Sequence, residues 1–222
     1  MYHILNTIIG PYQSSFLPGR GTSDNAIVLQ KIIHFMRRSR KEKGYVAFKI
    51  DLEKAFDDVN WDFLRSCLHD FGFPDITIKP IMHCVSSSSF SILWNRNKMP
   101  PFKPTHGLIQ GDPLSSYLFI LCMEKLSIAI NNAVHHDNWE PIHISSTGPR
   151  LSHLLSADDV FLFSKAKNSQ LHFIRDLFNR FNRVSGLKIN LSKSRAFYSS
   201  GTPQEKINNL TSIWNKMHNI SG

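Results

Sequence analysis

Two adjacent carboxylates interrupt the most strand-like stretch of this chain, Leu154-Leu155-Ser156-Ala157-Asp158-Asp159-Val160-Phe161-Leu162-Phe163. Neighbouring like charges repel and resist desolvation, so a single buried strand running straight through the pair is costly. The stretch is therefore expected to form two short strands around a turn. Two readings remove the cost at the tip. The aspartates face water at a turn, which Asp favours, or they hold divalent cations.

A third carboxylate bears on that choice. Tyr45-Val46-Ala47-Phe48-Lys49-Ile50-Asp51-Leu52 alternates as a strand, with Val46, Phe48, Ile50 and Leu52 on one side and Asp51 on the other. An Asp at a strand end and an Asp pair on a hairpin tip make a sensible two-metal site, provided the strand and the hairpin share a sheet. Magnesium prefers oxygen ligands and keeps waters or substrate phosphates in its shell. Two such ions about 3.5–4 Å apart activate an attacking hydroxyl and stabilise a leaving group.

The surrounding pattern predicts helices interleaved with strands, an α+β chain without repeated crossover units. Helical spacing runs through Ala26, Leu29, Ile33 and Met36, and then from an Asn60 cap through Leu64, Cys67, Leu68 and Phe71. Another helix starts near Pro74. Phe90-Ser91-Ile92-Leu93-Trp94 reads as one arm of a hairpin. Asp112-Pro113 marks the start of the longest helix, which carries Leu114, Leu118, Cys122, Leu126, Ala129, Ile130 and Ala133 inward. A further helix carries Leu171, Ile174, Phe178 and Phe181 and stops at Gly186, before a last strand-like piece at 187–191.

With 222 residues, 41% of them hydrophobic, the chain has material for one domain or two packed subdomains. Its net charge of +9 favours a polyanionic partner. The basic run Arg37-Arg38-Ser39-Arg40-Lys41-Glu42-Lys43 is either a solvated helix end or an edge for phosphates. The longest uninterrupted apolar run, at 117–123, is far shorter than the roughly 18 residues of a membrane span. Cys67, Cys84 and Cys122 have no metal-ligand spacing and are expected as small core residues of a reduced intracellular protein. No targeting signal places it in nucleus or cytoplasm.

The order of motifs resembles the reverse transcriptase domain of non-LTR (LINE-type) retrotransposons, especially plant ones. Lys49-Ile50-Asp51-Leu52-Glu53-Lys54-Ala55-Phe56-Asp57 is similar to motif A, and Gly107-Leu108-Ile109-Gln110-Gly111-Asp112-Pro113-Leu114-Ser115 to motif B. Ser156-Ala157-Asp158-Asp159 is similar to motif C, and Gly186-Leu187-Lys188-Ile189-Asn190-Leu191-Ser192-Lys193-Ser194 to motif D. Upstream, Gln13-Ser14-Ser15-Phe16-Leu17-Pro18-Gly19-Arg20-Gly21-Thr22-Ser23-Asp24 resembles the fingers block. The resemblance implies a polymerase palm, an antiparallel sheet with helices packed on one face, with partial fingers. The implied division is 1–44 partial fingers, 45–200 palm with a fingers-like hairpin near 90–106, and 201–222 leading towards a thumb.

It also implies roles. Asp51 and Asp158 would ligate two Mg2+ ions (Mn2+ is an alternative), with the Leu52 carbonyl as a further ligand and Asp159 in support. Phe56 would be the gate against a ribose 2′-hydroxyl, or else an ordinary core Phe. Gln110 and Gly111 would contact nucleotide and template. Lys193 would protonate departing pyrophosphate, or be a plain surface lysine. Arg20, Arg37, Arg38 and Arg40 would hold template phosphates. The partners implied are an RNA template, a DNA primer and deoxynucleoside triphosphates, with no membrane and an open oligomeric state.

Three positions depart from the pattern: Ser156 replaces an aromatic, Ile109 an Arg and Ser116 a Pro. On the same pattern the chain is expected to start after an upstream fingers block and to stop before the primer grip and thumb. Weak or absent synthesis follows as the expectation. Two alternatives are a non-catalytic nucleic-acid-binding relic and a two-metal nuclease, which would leave the Gln-Gly-Asp-Pro block unexplained.

Overall fold

The computed structural model describes residues 2–40, 44–145 and 148–215. The end of the basic run at 41–43 and the last seven residues lie outside the described residues. In chain order the elements are α1 (Tyr2–Ile8), α2 (Thr22–Arg38), β1 (Tyr45–Ile50), β2 (Leu52–Glu53), α3 (Trp61–Asp70) and α4 (Asp75–Ser86). They continue with β3 (Leu93–Trp94), β4 (Asn97–Lys98), α5 (Pro113–His135), β5 (Ile142–His143), β6 (Arg150–Leu151) and β7 (His153–Ser156). The last are β8 (Asp159–Lys165), α6 (Asn168–Ser185), β9 (Lys188–Ile189), β10 (Arg195–Tyr198) and α7 (Gln204–Asn215).

One antiparallel sheet organises the molecule, in the order β10-β1-β8-β7. The expected hairpin is present as β7 and β8, and the strand ending at Asp51 lies beside it. Val46, Phe48 and Ile50 of β1, with Val160 and Leu162 of β8, face the larger core built on α3, α5 and α6. Trp214 of α7 stacks on Phe48 from that same side, centroids 4.5 Å apart. The opposite sheet face is only partly covered: Ile32 and Met36 of α2 pack on Tyr45, Ala47 and Phe163 in a smaller cluster. That cover stops short of Lys49, so both faces are buried where β1 begins and one opens where it ends.

Local chemistry accounts for the helix ends. The Asn60 side chain accepts hydrogen bonds from the Asp62 and Phe63 amides at the start of α3, and Asp112 does so from Leu114 at the start of α5, with Pro113 first in the helix. Gly186 stops α6 in the left-handed region at φ 81. By length and composition α5 could cross a bilayer, with a hydropathy of 1.4 over its most apolar window. Here it is the central core helix, with Leu118 to Met123 buried on every side.

Several expectations are corrected. Cys67 and Cys122 are buried, but Cys84 is exposed. The strand predicted through Leu52 breaks at Asp51, and Leu52 pairs with Ile189 in a separate ribbon. The 187–191 piece supplies only β9. The sheet edge is instead β10, which alternates between exposed and half-buried positions and has too few apolar neighbours to announce a strand.

Candidate active site

Register brings the acidic residues together. Ile50 of β1 pairs with Val160 of β8, so Asp51, the next residue, falls opposite Asp159. Ser156 pairs with Asp159 across the hairpin, leaving Ala157 and Asp158 as the turn. Asp158 is exposed at the tip, while Asp51 and Asp159 are half-buried. Ala157 holds φ 53, a left-handed conformation that costs an L residue roughly 1–2 kcal/mol. Something must hold that turn in place.

The support comes from the amino-terminal segment. The Gln13 side chain, 1% exposed, accepts hydrogen bonds through Oε1 from the amides of Ser15 (3.0 Å) and Ala157 (3.3 Å). Leu155 donates its amide to the Tyr12 carbonyl and accepts from the Ser14 amide, a short parallel bridge. Asn25 Nδ2 donates to both the Leu155 and Tyr12 carbonyls. Ser15 and Ser156 share a hydroxyl hydrogen bond at 3.0 Å. The serine found where the family pattern has an aromatic is therefore a contact to this segment.

The Arg20 guanidinium, expected on template phosphates, donates to the carbonyls of Ile9, Gly10 and Gln13. Glu124 of α5, 4% exposed, lies under the same loop, and a Cβ at Gly10 would come within 3.1 Å of its Oε1. Burial pushes the Glu124 carboxyl up to about 7, against weaker lowering by the Gly10 backbone and Arg20. Glu124 Oε2 and Gln13 Nε2 are buried without hydrogen-bond partners among the described residues.

Asp51 is held differently. Its amide donates to Ser194 Oγ at 3.0 Å, and its carbonyl accepts from the Asn190 amide at 2.8 Å. Asn190 in turn organises its own turn: its carbonyl accepts from the Ser194 hydroxyl and its Oδ1 from the Lys193 amide. Lys193 is exposed on this turn.

The remaining predicted residues are spread over several elements. Leu52 is buried, and half-buried Phe56 stacks on Phe119 with centroids 4.6 Å apart. The Phe56 carbonyl accepts from the Leu108 amide at 2.7 Å, and that of Val59 from Gly107 at 2.8 Å, which lays the entry to α5 against the loop after β2. Gly107, at φ 88, is required there, because a Cβ would meet the Asp57 carbonyl oxygen at 2.4 Å. Gln110 and Gly111 are exposed in the turn before α5. Arg37, Arg38 and Arg40 are exposed at the end of α2.

Asp159 has a partner that sequence reading missed, Lys49, whose Nζ lies 3.2 Å from Oδ1. Asp51 and Asp158 make no ion pair among the described residues. Magnesium needs only one or two protein carboxylates alongside waters and substrate phosphates, and Asp51 and Asp158 carry carboxylates of that kind at the strand end and the hairpin tip. A ready cage of three His, Cys, Asp or Glu side chains is absent among the described residues. Gln13, Ser194 and Lys49 carried no local signal as supports, because Gln13 and Ser194 bond residues far away in sequence and Lys49 reads only as an outward strand lysine.

Comparisons with known proteins agree in one direction. The family described as Reverse transcriptase (RNA-dependent DNA polymerase) matches residues 1–214. The chain is 27% identical over 199 residues to the Retrovirus-related Pol polyprotein from type-2 retrotransposable element R2DM of Drosophila melanogaster, covering 88% of this chain and 18% of that protein. It is 30% identical over 121 residues to the Transposon TX1 uncharacterized 149 kDa protein of Xenopus laevis, covering 54% and 9%. It thus spans less than a fifth of either relative's length. Among solved structures, telomerase from Candida tropicalis, in complex with a fragment of telomeric RNA, superposes with a TM-score of 0.60 at 13% identity. That match covers 81% of this chain and 30% of that one.

Proposed function

We propose, from the premise that this chain belongs to the reverse transcriptase (RNA-dependent DNA polymerase) family and to its non-LTR retrotransposon branch, that its acidic centre extends a DNA primer on an RNA template. The observation that carries the reading is the register that sets Asp51 opposite Asp159 with Asp158 on the adjoining tip. Reverse transcriptases use divalent metal ions. Here Asp51 and Asp158, with the Leu52 carbonyl, would hold two Mg2+ ions, or Mn2+ in their place. When bound, such ions lower the cost of ionising a primer 3′-hydroxyl and of releasing pyrophosphate.

The chain's own residues do the positioning. Lys49 neutralises Asp159 and keeps it on the hairpin side, so that the tip presents Asp158. Ser194 and Asn190 fix the backbone on both sides of the Asp51 Cα. Gln110 and Gly111 lie at the entrance to α5, where a templated nucleotide would rest. The Phe56 ring, braced by Phe119, would exclude a ribose 2′-hydroxyl. Lys193, exposed on the turn that holds Asp51, would give its proton to the departing pyrophosphate. Catalysis then consists of orientation and charge neutralisation. Ser156 leaves the primer end without an aromatic neighbour, so slow synthesis is the expectation.

Primer extension on an RNA template with Mg2+ and deoxynucleotides tests the reading. Incorporation that falls to background in Asp158→Asn supports it. Template binding without incorporation would favour the relic, and cleavage that needs Asp51 but no nucleotide would favour the nuclease. If Phe56→Val does not raise ribonucleotide incorporation, the gate assignment fails and Phe56 is a core residue.

A further inference from the structure

The ribbon formed by β3 and β4 projects from the domain, and its apolar side chains touch little. Ile92 is 57% exposed, Trp94 71% and Met99 46%. The pairing of Trp94 with Asn97, and the bond from the Met99 amide to the Ile92 carbonyl, put these three on one face. Leu93 and Lys98 pair on the other. The turn between them is Asn95-Arg96, both at positive φ, 45 and 64. A two-residue turn of this kind favours Gly in its second place. Here the strained position presents a guanidinium instead.

The ribbon and the chain segments that flank it carry charge of one sign. No Asp or Glu occurs between Asp75 and Asp112, a stretch that holds Lys79, Arg96, Lys98 and Lys103. At the base of the ribbon, Phe90, Phe102, Lys103 and His106 line an open cavity of about 530 Å3 shared with Gln110 and Asp57. The exposed surface therefore runs continuously from the tip cation, past an aromatic face, to the entrance of α5.

We propose that this ribbon is a docking surface for single-stranded nucleic acid, with Trp94 stacking on an unpaired base and Arg96 and Lys98 meeting phosphates. Exposed aromatics interleaved with cations are the combination by which single strands are held without sequence readout. A protein partner would be equally served by the apolar face but would not call for a ribbon and flanking segments whose only charges are cations. The identification of the strand as template rests on the polymerase reading; the binding itself does not.

The test uses the full chain, a labelled oligouridylate and EDTA, without nucleotide, so its outcome is independent of whether the chain synthesises DNA. Trp139 and Trp214 are buried and Trp61 half-buried, so iodide-quenchable fluorescence comes mainly from Trp94. RNA is expected to protect that signal, and Trp94→Ala to weaken binding about tenfold. Arg96→Gly, which relieves the turn while removing a cation, is expected to preserve the fold and to make the slope of log affinity on log salt shallower by about 0.7. Binding that is unchanged in both variants overturns the proposal. So does Trp94 protection that depends on protein concentration and not on RNA, which would make the ribbon a contact between copies of the chain.

Discussion

The two acidic elements of the candidate site lie side by side, yet they are held in place by different means. Asp51 ends a central strand and needs little more than a clasp: its amide donates to the Ser194 hydroxyl oxygen and its carbonyl accepts from the Asn190 amide. The Asp158 turn is a strained tip at the end of a hairpin, braced by the buried Gln13 side chain of an amino-terminal segment that the Arg20 guanidinium ties together through its own carbonyls. The difference teaches that strand geometry positions a carboxylate cheaply, whereas a left-handed turn requires an external scaffold. Damage to residues 9–25 should therefore reach the Asp158 tip and spare Asp51.

The largest effect is expected at Gln13. Gln13→Leu leaves the buried Ser15 amide and the half-buried Ala157 amide without their acceptor, at about 1–3 kcal/mol for the first and less for the second. Denaturant unfolding is expected to register about 3 kcal/mol. Primer extension is expected to lose turnover more than template affinity. Equal loss of both would break the distinction between brace and clasp.

Next comes pH, which acts beneath the brace through Glu124. The folded pKa of Glu124, raised to about 7 by burial, exceeds its unfolded value of 4.5, so the folded chain holds the proton more tightly. That contribution is fully present below pH 4.5 and lost as pH rises through 7, on the order of 2–3 kcal/mol. Glu124→Gln is expected to remove this slope and to stabilise the chain at pH 8. His153, on β7, has the opposite sign. Burial between the Ser127 and Ser152 hydroxyls holds it down to about 3, so it contributes stability above pH 6.5 that is lost as pH falls towards 3. Melting temperatures of the wild type and of Glu124→Gln between pH 5 and 8 separate the two. A loss of stability with rising pH that persists in Glu124→Gln would place the titrating group elsewhere.

The smallest effect is expected at Ser194. Ser194→Ala removes one acceptor from the Asp51 amide and should cost about 1 kcal/mol of stability. Apparent affinity for Mg2+ in primer extension is expected to weaken, with template affinity unchanged. If Ser194→Ala matches Gln13→Leu, the clasp is as demanding as the brace and the comparison fails.

Much of this arrangement is legible in the chain. The alternation in 45–50 and the apolar runs flanking the Asp pair predict the strands they form, because burial at every second position is a local property. Asn60, Asp112-Pro113 and Gly186 mark helix ends through bonds to their own neighbours. β10 and α7 carry too weak a pattern to be read, since their order comes from partners on other elements. Arg20 shows the limit of local reading from another side. A basic residue in a basic chain reads as a phosphate contact, but only the folded loop shows three backbone carbonyls converging on it.

What the sequence by itself determined is most of the inventory: the long helices and the central strands, that the Asp pair sits at a turn, and the order of motifs that places the chain in its family. The tertiary structure decided which groups meet. Sheet register carried Asp51 to Asp159, a buried Gln13 to the Ala157 amide, Ser194 to the Asp51 amide and Lys49 to Asp159. Those pairings depend on register and long-range packing, and neither leaves a period in the chain that local reading detects.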